Sequence, residues 1–280
     1  MQPDQEIINR WTGSAPFWEK HRDIIRQMFA PVTDALAAET HITTSHTVLD
    51  IATGPGEPAL SVAAMVGPEG KVFGIDPIEG MVAAARRAAD RLNLKNVQFD
   101  VAFADALPFP TNTFDAAISR FGVMFFPAPA DGLREMLRVL KPGKKLALAA
   151  WHFAERNPFH STLSDVMDRF VEPVPLPPDA LDAFRFATPG TLLQILKDAG
   201  ATDTNQRLLH FKINAAISLP DYFSLRIEMS EKLREKIATL SPEQVIELKR
   251  QALESLREYS TSHGMTFPAE VLIVTGAKSL

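Results

Sequence analysis

From residue 46 the chain alternates short runs of β-branched and apolar residues with stretches whose apolar positions recur every three or four residues. That is the rhythm of strands joined by helical crossovers in a parallel sheet. HTVLDIA (46–52) reads as a buried strand, and the Pro/Gly turn after it opens a helix over 60–65. KVFGID (71–76) reads as a second strand. Pro77 suits a first helical position, and Ile78, Met81, Val82, Ala85, Ala89 and Leu92 form an apolar face at helical spacing. Third, fourth and fifth strands are expected over 96–104, 115–121 and 144–151. Between the last two, Leu133, Met136, Leu137 and Leu140 mark an amphipathic helix that Lys141-Pro142-Gly143 should stop.

Beyond residue 151 the pattern changes. Residues 153–188 are rich in Phe and Pro and read as a helix plus an irregular insertion. A helix over 188–200, a strand over 207–214, a helix behind the capping-box sequence Ser241-Pro242-Glu243-Gln244 and a last strand over 269–277 complete the pattern. Residues 1–40 read as helical and hold two of the three tryptophans, Trp11 and Trp18.

The length of 280 residues fits one large domain or two small ones. With Lys plus Arg at 29 and Asp plus Glu at 34, the net charge of -5 argues against nucleic acid as the main partner. The absence of cysteine excludes disulfides, thiolate metal sites and cysteine nucleophiles. The seven histidines show no metal-ligand spacing, so no metal is expected. The start, MQPDQEIINR, lacks the apolar core of a signal peptide, and no apolar run approaches the ~20 residues needed to span a bilayer. A cytoplasmic protein is expected.

The most informative segment is VLDIATGPGEPA (48–59), a glycine turn between a buried strand and a helix, where backbone can approach a ligand closely. Gly54, Gly56 and Ala59 also fit the dinucleotide pattern G-x-G-x-x-G/A, so a nicotinamide cofactor competes at this point. Asp76, 20 residues after Gly56, is placed to accept ribose hydroxyls, or else to cap the helix after it. Asp105 follows the third strand, where a carboxylate can accept a bond from an adenine amino group. Asp50 would repel a pyrophosphate but attract a sulfonium and an α-ammonium group, and S-adenosylmethionine carries both.

VLDIATGPGEPAL, VFGIDPIEGM, FADALPFPTNTFDAAISRFGVMFFP and LREMLRVLKPGKKLALAAW, in this order over about 46–152, resemble the successive motifs of class I S-adenosylmethionine-dependent methyltransferases. Within that family the chain is most similar to the quinone-biosynthesis C-methyltransferases. The resemblance implies a Rossmann-like α/β fold: seven strands ordered 3-2-1-4-5-7-6, strand 7 antiparallel, helices on both faces. The expected organisation is an N-terminal helical lid (1–40) and a cofactor-binding domain (41–280) with helical insertions near 153–188 and 215–265. Carried over residue by residue, Asp50, Ala52, Gly54 and Gly56 would line the methionine moiety. Asp76 would bind the ribose, with Pro77 and Met81 near the adenine. Ala104, Asp105 and Ala106 would edge the ring. Ser119, Arg120 and Phe121 would face the methionine end and the acceptor. Glu57 stands where many members have a third glycine.

Methyl transfer needs a base only when the acceptor must first lose a proton. His152 and His21 are the candidate bases, and Arg120 is a candidate for holding an anionic or enolate oxygen. Phe17, Trp18, Met124, Phe125 and Trp151 are the candidate acceptor walls. The expected reaction is methyl transfer from S-adenosylmethionine, yielding S-adenosylhomocysteine, to a hydrophobic, ring-containing small molecule. Two alternatives remain open: a nicotinamide-dependent oxidoreductase, disfavoured by the lack of a Ser…Tyr-x-x-x-Lys set, and a non-catalytic binding protein on this fold. Oligomeric state is not readable.

Overall fold

A computed structural model describes residues 3–175, 177 and 180–280. Residues 1, 2, 176, 178 and 179, which fall within the expected N-terminal segment and the expected 153–188 insertion, lie outside the described residues. Three helices come first, α1 (Pro3–Thr12), α2 (Ala15–Lys20) and α3 (Arg22–Glu39). The alternating part follows as β1 (Thr47–Ile51), α4 (Ala59–Val66), β2 (Lys71–Asp76), α5 (Glu79–Arg91), β3 (Val97–Val101), β4 (Phe114–Arg120), α6 (Pro129–Val139) and β5 (Leu140–Trp151). Then come α7 (Pro158–Met167), α8 (Thr191–Asp198), β6 (Thr202–Ala215), α9 (Leu219–Met229), α10 (Glu231–Ala238), α11 (Pro242–Leu256), β7 (Ser260–Thr261) and β8 (Gly264–Ala277).

The sheet runs β3-β2-β1-β4-β5-β8-β6, with β7 paired to β8 outside this path. Pairings among β1 to β5 are parallel, and β8 is antiparallel to both β5 and β6. The seven long strands therefore follow the expected order, and the expected count of seven is corrected to eight by the two-residue β7. The central parallel strands β1 and β4 are buried on both faces, which is why their sequences are largely apolar rather than strictly alternating. Leu49, Ile51, Ile75 and Ile118 are fully buried in one core with α3, α4 and α6. A smaller core of Leu163, Phe223, Leu233 and Leu248 joins α7 to α9, α10 and α11.

Three boundaries move. Helix α6 ends at Val139 and β5 begins at Leu140, so Lys141-Pro142-Gly143 lies inside the strand rather than before it. The register shifts there, between Phe114 and Ala116 of β4, and Gly143 adopts φ 72°. Helix α5 begins at Glu79, with Ile78 as its N-cap, two residues beyond Pro77. Strand β6 starts at Thr202 because pairing with β8 extends a polar edge that periodicity alone reads as loop. Among the described residues no helix is long and apolar enough to cross a membrane.

Candidate active site

The C-terminal ends of β1, β2 and β4 open onto one side, at the point where the strand order reverses between β1 and β4. Open α/β sheets bind ligands there. A cavity of about 410 Å³ occupies this place. Its floor is the turn after β1. Ala52 and Gly54 both take left-handed backbone, at φ 59° and 56°. A Cβ on Gly54 would meet no atom within 4 Å, so this position leaves free space at the cavity edge. At Gly56 (φ 107°) a Cβ would lie 2.8 Å from Leu60 Cδ1 and 3.3 Å from the Ala85 backbone, so this glycine serves close packing.

Two carboxylates brace the turn. Asp50 Oδ2 accepts from Thr53 Oγ1 at 2.6 Å and from Ala59 N at 3.0 Å, while its Oδ1 has no partner. Complete burial pushes the Asp50 carboxyl up to about 7. Asp76 Oδ2 accepts from Gly54 N at 2.9 Å, and its Oδ1 accepts from Ile78 N at 3.0 Å. Burial pushes Asp76 up to about 6, against these two backbone bonds. Asp76 thus braces the glycine turn and the amide of Ile78, the N-cap residue of α5, rather than capping the helix itself, and it lines the cavity.

Of the expected cofactor residues, the cavity brings together Ala52, Gly54, Asp76, Pro77, Met81, Ala104, Asp105, Arg120 and Phe121. Asp50, Gly56, Ala106 and Ser119 do not line it. Asp50 is turned into the fold and clamps the turn, Ala106 faces solvent, and Ser119 Oγ donates to Ile51 O at 2.8 Å. Arg120 reaches the wall with its guanidinium committed. Nη1 donates to Thr33 Oγ1 at 2.8 Å, Nη2 donates to Glu57 O at 3.3 Å, and the group lies 5.9 Å from the Phe29 ring centre. Burial pulls the Arg120 pKa down, while Glu57 and Asp50 nearby favour its charge.

Among the expected acceptor walls, Trp18, Met124, Phe125 and Trp151 line the cavity and Phe17 does not. The Phe17 ring instead carries the Arg234 guanidinium at 4.9 Å. Trp151 stacks flat on Phe121 at 4.3 Å, and Phe29 meets both rings edge-on at 5.7 and 5.3 Å. Neither expected base belongs to the site. His152 Nδ1 is 2.8 Å from Glu270 Oε2, and His21 Nε2 is 2.5 Å from Glu228 Oε2, both away from the cavity.

The sequence reading missed Trp11, Arg22, Phe29, Phe159, His160 and Arg226, all of which line the cavity. Only Trp11 carried a signal, as one of the two tryptophans within the expected lid. Two donors of residues that line the cavity are orphaned. Trp18 Nε1 and Arg22 Nη1 are buried without a partner, and Trp18 packs with Ile78 and Met81 at the end of β2.

A methyltransferase domain model matches residues 48–143. The ubiquinone/menaquinone biosynthesis C-methyltransferase of Geobacter sulfurreducens is 40% identical over 102 residues, covering 36% of this chain and 40% of that protein. The demethylmenaquinone methyltransferase of Symbiobacterium thermophilum is 31% identical over 214 residues, covering 70% of this chain and 80% of that protein. The chain therefore spans about two fifths of the length of the first relative and four fifths of the second. The crystal structure of the YcgJ protein from Bacillus subtilis shares the fold, with a TM-score of 0.58 at 19% identity over 90% of this chain and 99% of that one. The chain belongs to the class I S-adenosylmethionine-dependent methyltransferase family and is related, within it, to the quinone-biosynthesis C-methyltransferases.

Proposed function

We propose that this chain transfers a methyl group from S-adenosylmethionine to a hydrophobic, ring-containing small molecule. The observation that carries the reading is one cavity that joins the glycine turn and Asp76 to the stacked wall of Phe121 and Trp151. The residues present fit the cofactor. Asp76 keeps acceptor capacity for ribose hydroxyls beyond its two backbone bonds, Gly54 leaves room at the turn, and the orphan donors of Trp18 and Arg22 suit a carboxylate. S-adenosylmethionine supplies an electrophilic methyl group on a sulfonium, displaced in line.

The chain's own contribution is positioning and dryness. Arg120 ties α3 to the turn through Thr33 and Glu57, which fixes the cavity floor. Phe29, Phe121, Trp151 and Phe159 exclude water and bury apolar acceptor surface at ~25 cal/mol per Å2. Helices α1 to α3 act as the lid. Arg10, Trp11, Trp18 and Arg22 come from them, and Glu19, Lys20 and His21 fasten them to Arg87 and Glu228. The quinone-type chemistry in the relatives' names supports a ring acceptor.

The test is thermal denaturation with S-adenosylhomocysteine and, separately, with NAD. At ~100 times the dissociation constant, binding adds ~2.7 kcal/mol, and only S-adenosylhomocysteine should raise the melting temperature. Stabilisation by NAD alone would return the oxidoreductase reading. Cofactor binding without turnover on any ring acceptor would favour a binding protein on this fold.

A further inference from the structure

In the part of the cavity wall formed by α7 and α9, two side chains each keep one buried nitrogen without a partner. Arg226, from α9, is 6% exposed and lines the cavity; its guanidinium sits 4.6 Å from the Phe159 ring centre. Arg226 Nη2 donates to His160 Nδ1 at 3.3 Å, and Arg226 Nε has no partner. His160, from α7, lines the same wall, its ring 4.5 Å from Trp151 and 5.5 Å from Phe184.

The hydrogen bond fixes the imidazole tautomer. A guanidinium only donates, so Nδ1 must accept, and a neutral ring then carries its proton on Nε2. Burial and the Arg226 charge hold the His160 pKa well below its ordinary value, so the ring is neutral. His160 Nε2–H is thus a second buried donor without a partner. His160 cannot be a base in this state.

The charge balance singles out Arg226. The other cations on this wall have acids: Lys232 pairs with Asp182 at 2.7 Å and Lys236 with Asp168 at 2.5 Å. Arg10 lies 3.9 Å from Glu231. Arg120 feels Glu57 and Asp50. Among the described residues no carboxylate pairs with Arg226; its ionisable partners are the neutral His160 and the Tyr222 hydroxyl, which accepts from the guanidinium and itself donates to Phe159 O at 2.8 Å. A buried, uncompensated guanidinium beside an orphan imidazole N–H is costly in the free protein and complementary to one anionic oxygen.

We infer that Arg226 and His160 form an anion-recognition point, and that the acceptor is a hydrophobic ring bearing a single ionised oxygen, a phenolate or enolate. The inference rests on the methyltransferase reading for the word acceptor, but not for the site. It also accounts for a cavity with neither candidate histidine base in its wall. An acceptor that arrives ionised has already given its proton to solvent. Arg226 replaces Arg120 in the role first given to the latter, because Arg120 is committed to Thr33 and the Glu57 carbonyl.

The experiment uses the full chain and a matched pair of probes: the hydroxynaphthoquinone lawsone, ionised at neutral pH, and its methyl ether, which has the same rings and no charge. Each is titrated calorimetrically with and without saturating S-adenosylhomocysteine. The wild type should bind lawsone about tenfold or more tighter than the ether, the scale of one charge-assisted contact. Arg226→Met should erase the preference, keep S-adenosylhomocysteine affinity and not lower the melting temperature, since it removes an unpaired buried charge. His160→Phe should reduce the preference while keeping the ether's affinity. Arg226→Lys, which retains the charge, should keep part of the preference and covers the case where the methionine variant misfolds. Equal affinity for both probes in the wild type, or a preference that survives Arg226→Met, overturns the proposal. Loss of S-adenosylhomocysteine binding with the preference intact would overturn the methyltransferase reading alone.

Discussion

The carboxylate of Asp76 should make cofactor binding pH-dependent in a direction opposite to its effect on the fold. Its two oxygens already accept backbone N–H groups at 2.9 and 3.0 Å, and burial pushes it up to about 6. Ribose hydroxyls need the ionised form as acceptor. A group titrating at about 6 then predicts that S-adenosylhomocysteine affinity falls about tenfold between pH 7 and pH 5. For stability the sign reverses. The folded pKa lies above the unfolded value of 3.8, so this group's stabilising contribution is fully present below that value and is lost as pH rises through about 6. Acidification from neutrality should therefore weaken binding while this carboxylate favours the fold. Asp50, pushed up to about 7, titrates nearby but lies outside the cavity. Asp76→Asn separates the two, because it keeps Asp50. At pH 7 the variant should lose about 1.5–3 kcal/mol of binding, roughly ten- to a hundredfold. Its remaining pH dependence should be flat from 7 to 5. Calorimetric titration at several pH values, with urea denaturation of the same samples, reads both quantities. A variant with wild-type affinity, or with the wild-type pH profile, would refute the ribose role and leave Asp76 as a brace for the turn.

Three more outcomes are expected. Deleting residues 1–20 removes Trp11 and Trp18 from the cavity but leaves the sheet core intact, so the urea transition should stay cooperative while S-adenosylhomocysteine affinity drops about tenfold or more. Full affinity in the truncated chain would sink the lid. Trp151→Ala, at a position 3% exposed and stacked on Phe121 at 4.3 Å, should cost about 3–5 kcal/mol in urea denaturation. His152→Ala should leave cofactor binding and methyl transfer unchanged and cost about 1 kcal/mol or less, through its contact with Glu270; a large fall in turnover would restore it as a base.

The turn after β1 was legible because its geometry is set locally. The strand over 47–51 must be followed at once by backbone that accepts positive φ, and Gly54 and Gly56 announce it. Asp76 is found by counting from that turn. Asp50 is unusual in the sequence, and its surroundings are not readable there. An acid inside a buried strand looks identical whether it faces a ligand or turns inward to Thr53 and the Ala59 amide. The surroundings of His21 and His152 are hidden for a related reason: their carboxylate partners, Glu228 and Glu270, lie 207 and 118 residues away, and no spacing rule reports them.

The acceptor half follows a different logic, and Arg226 shows why it was not readable. In LPDYFSLRIEM it looks like the ordinary solvated cation of a surface helix. It is buried only because α9 packs beside α7, which places its guanidinium against Phe159 and His160, 66 positions earlier in the chain. Nothing in either segment anticipates the other. The same holds for Arg22 and Trp18, whose orphan donors acquire meaning only when α2 and α3 close over the ends of the strands. A cofactor common to a family can be held by backbone turns that every member encodes in a few adjacent residues. An acceptor particular to one member is read by side chains gathered from separate helices, where a single substitution changes charge or shape without disturbing the sheet. In this chain α1 to α3, α7 and α9 supply much of the cavity wall, and they are the segments in which local sequence says least about what the cavity will contact.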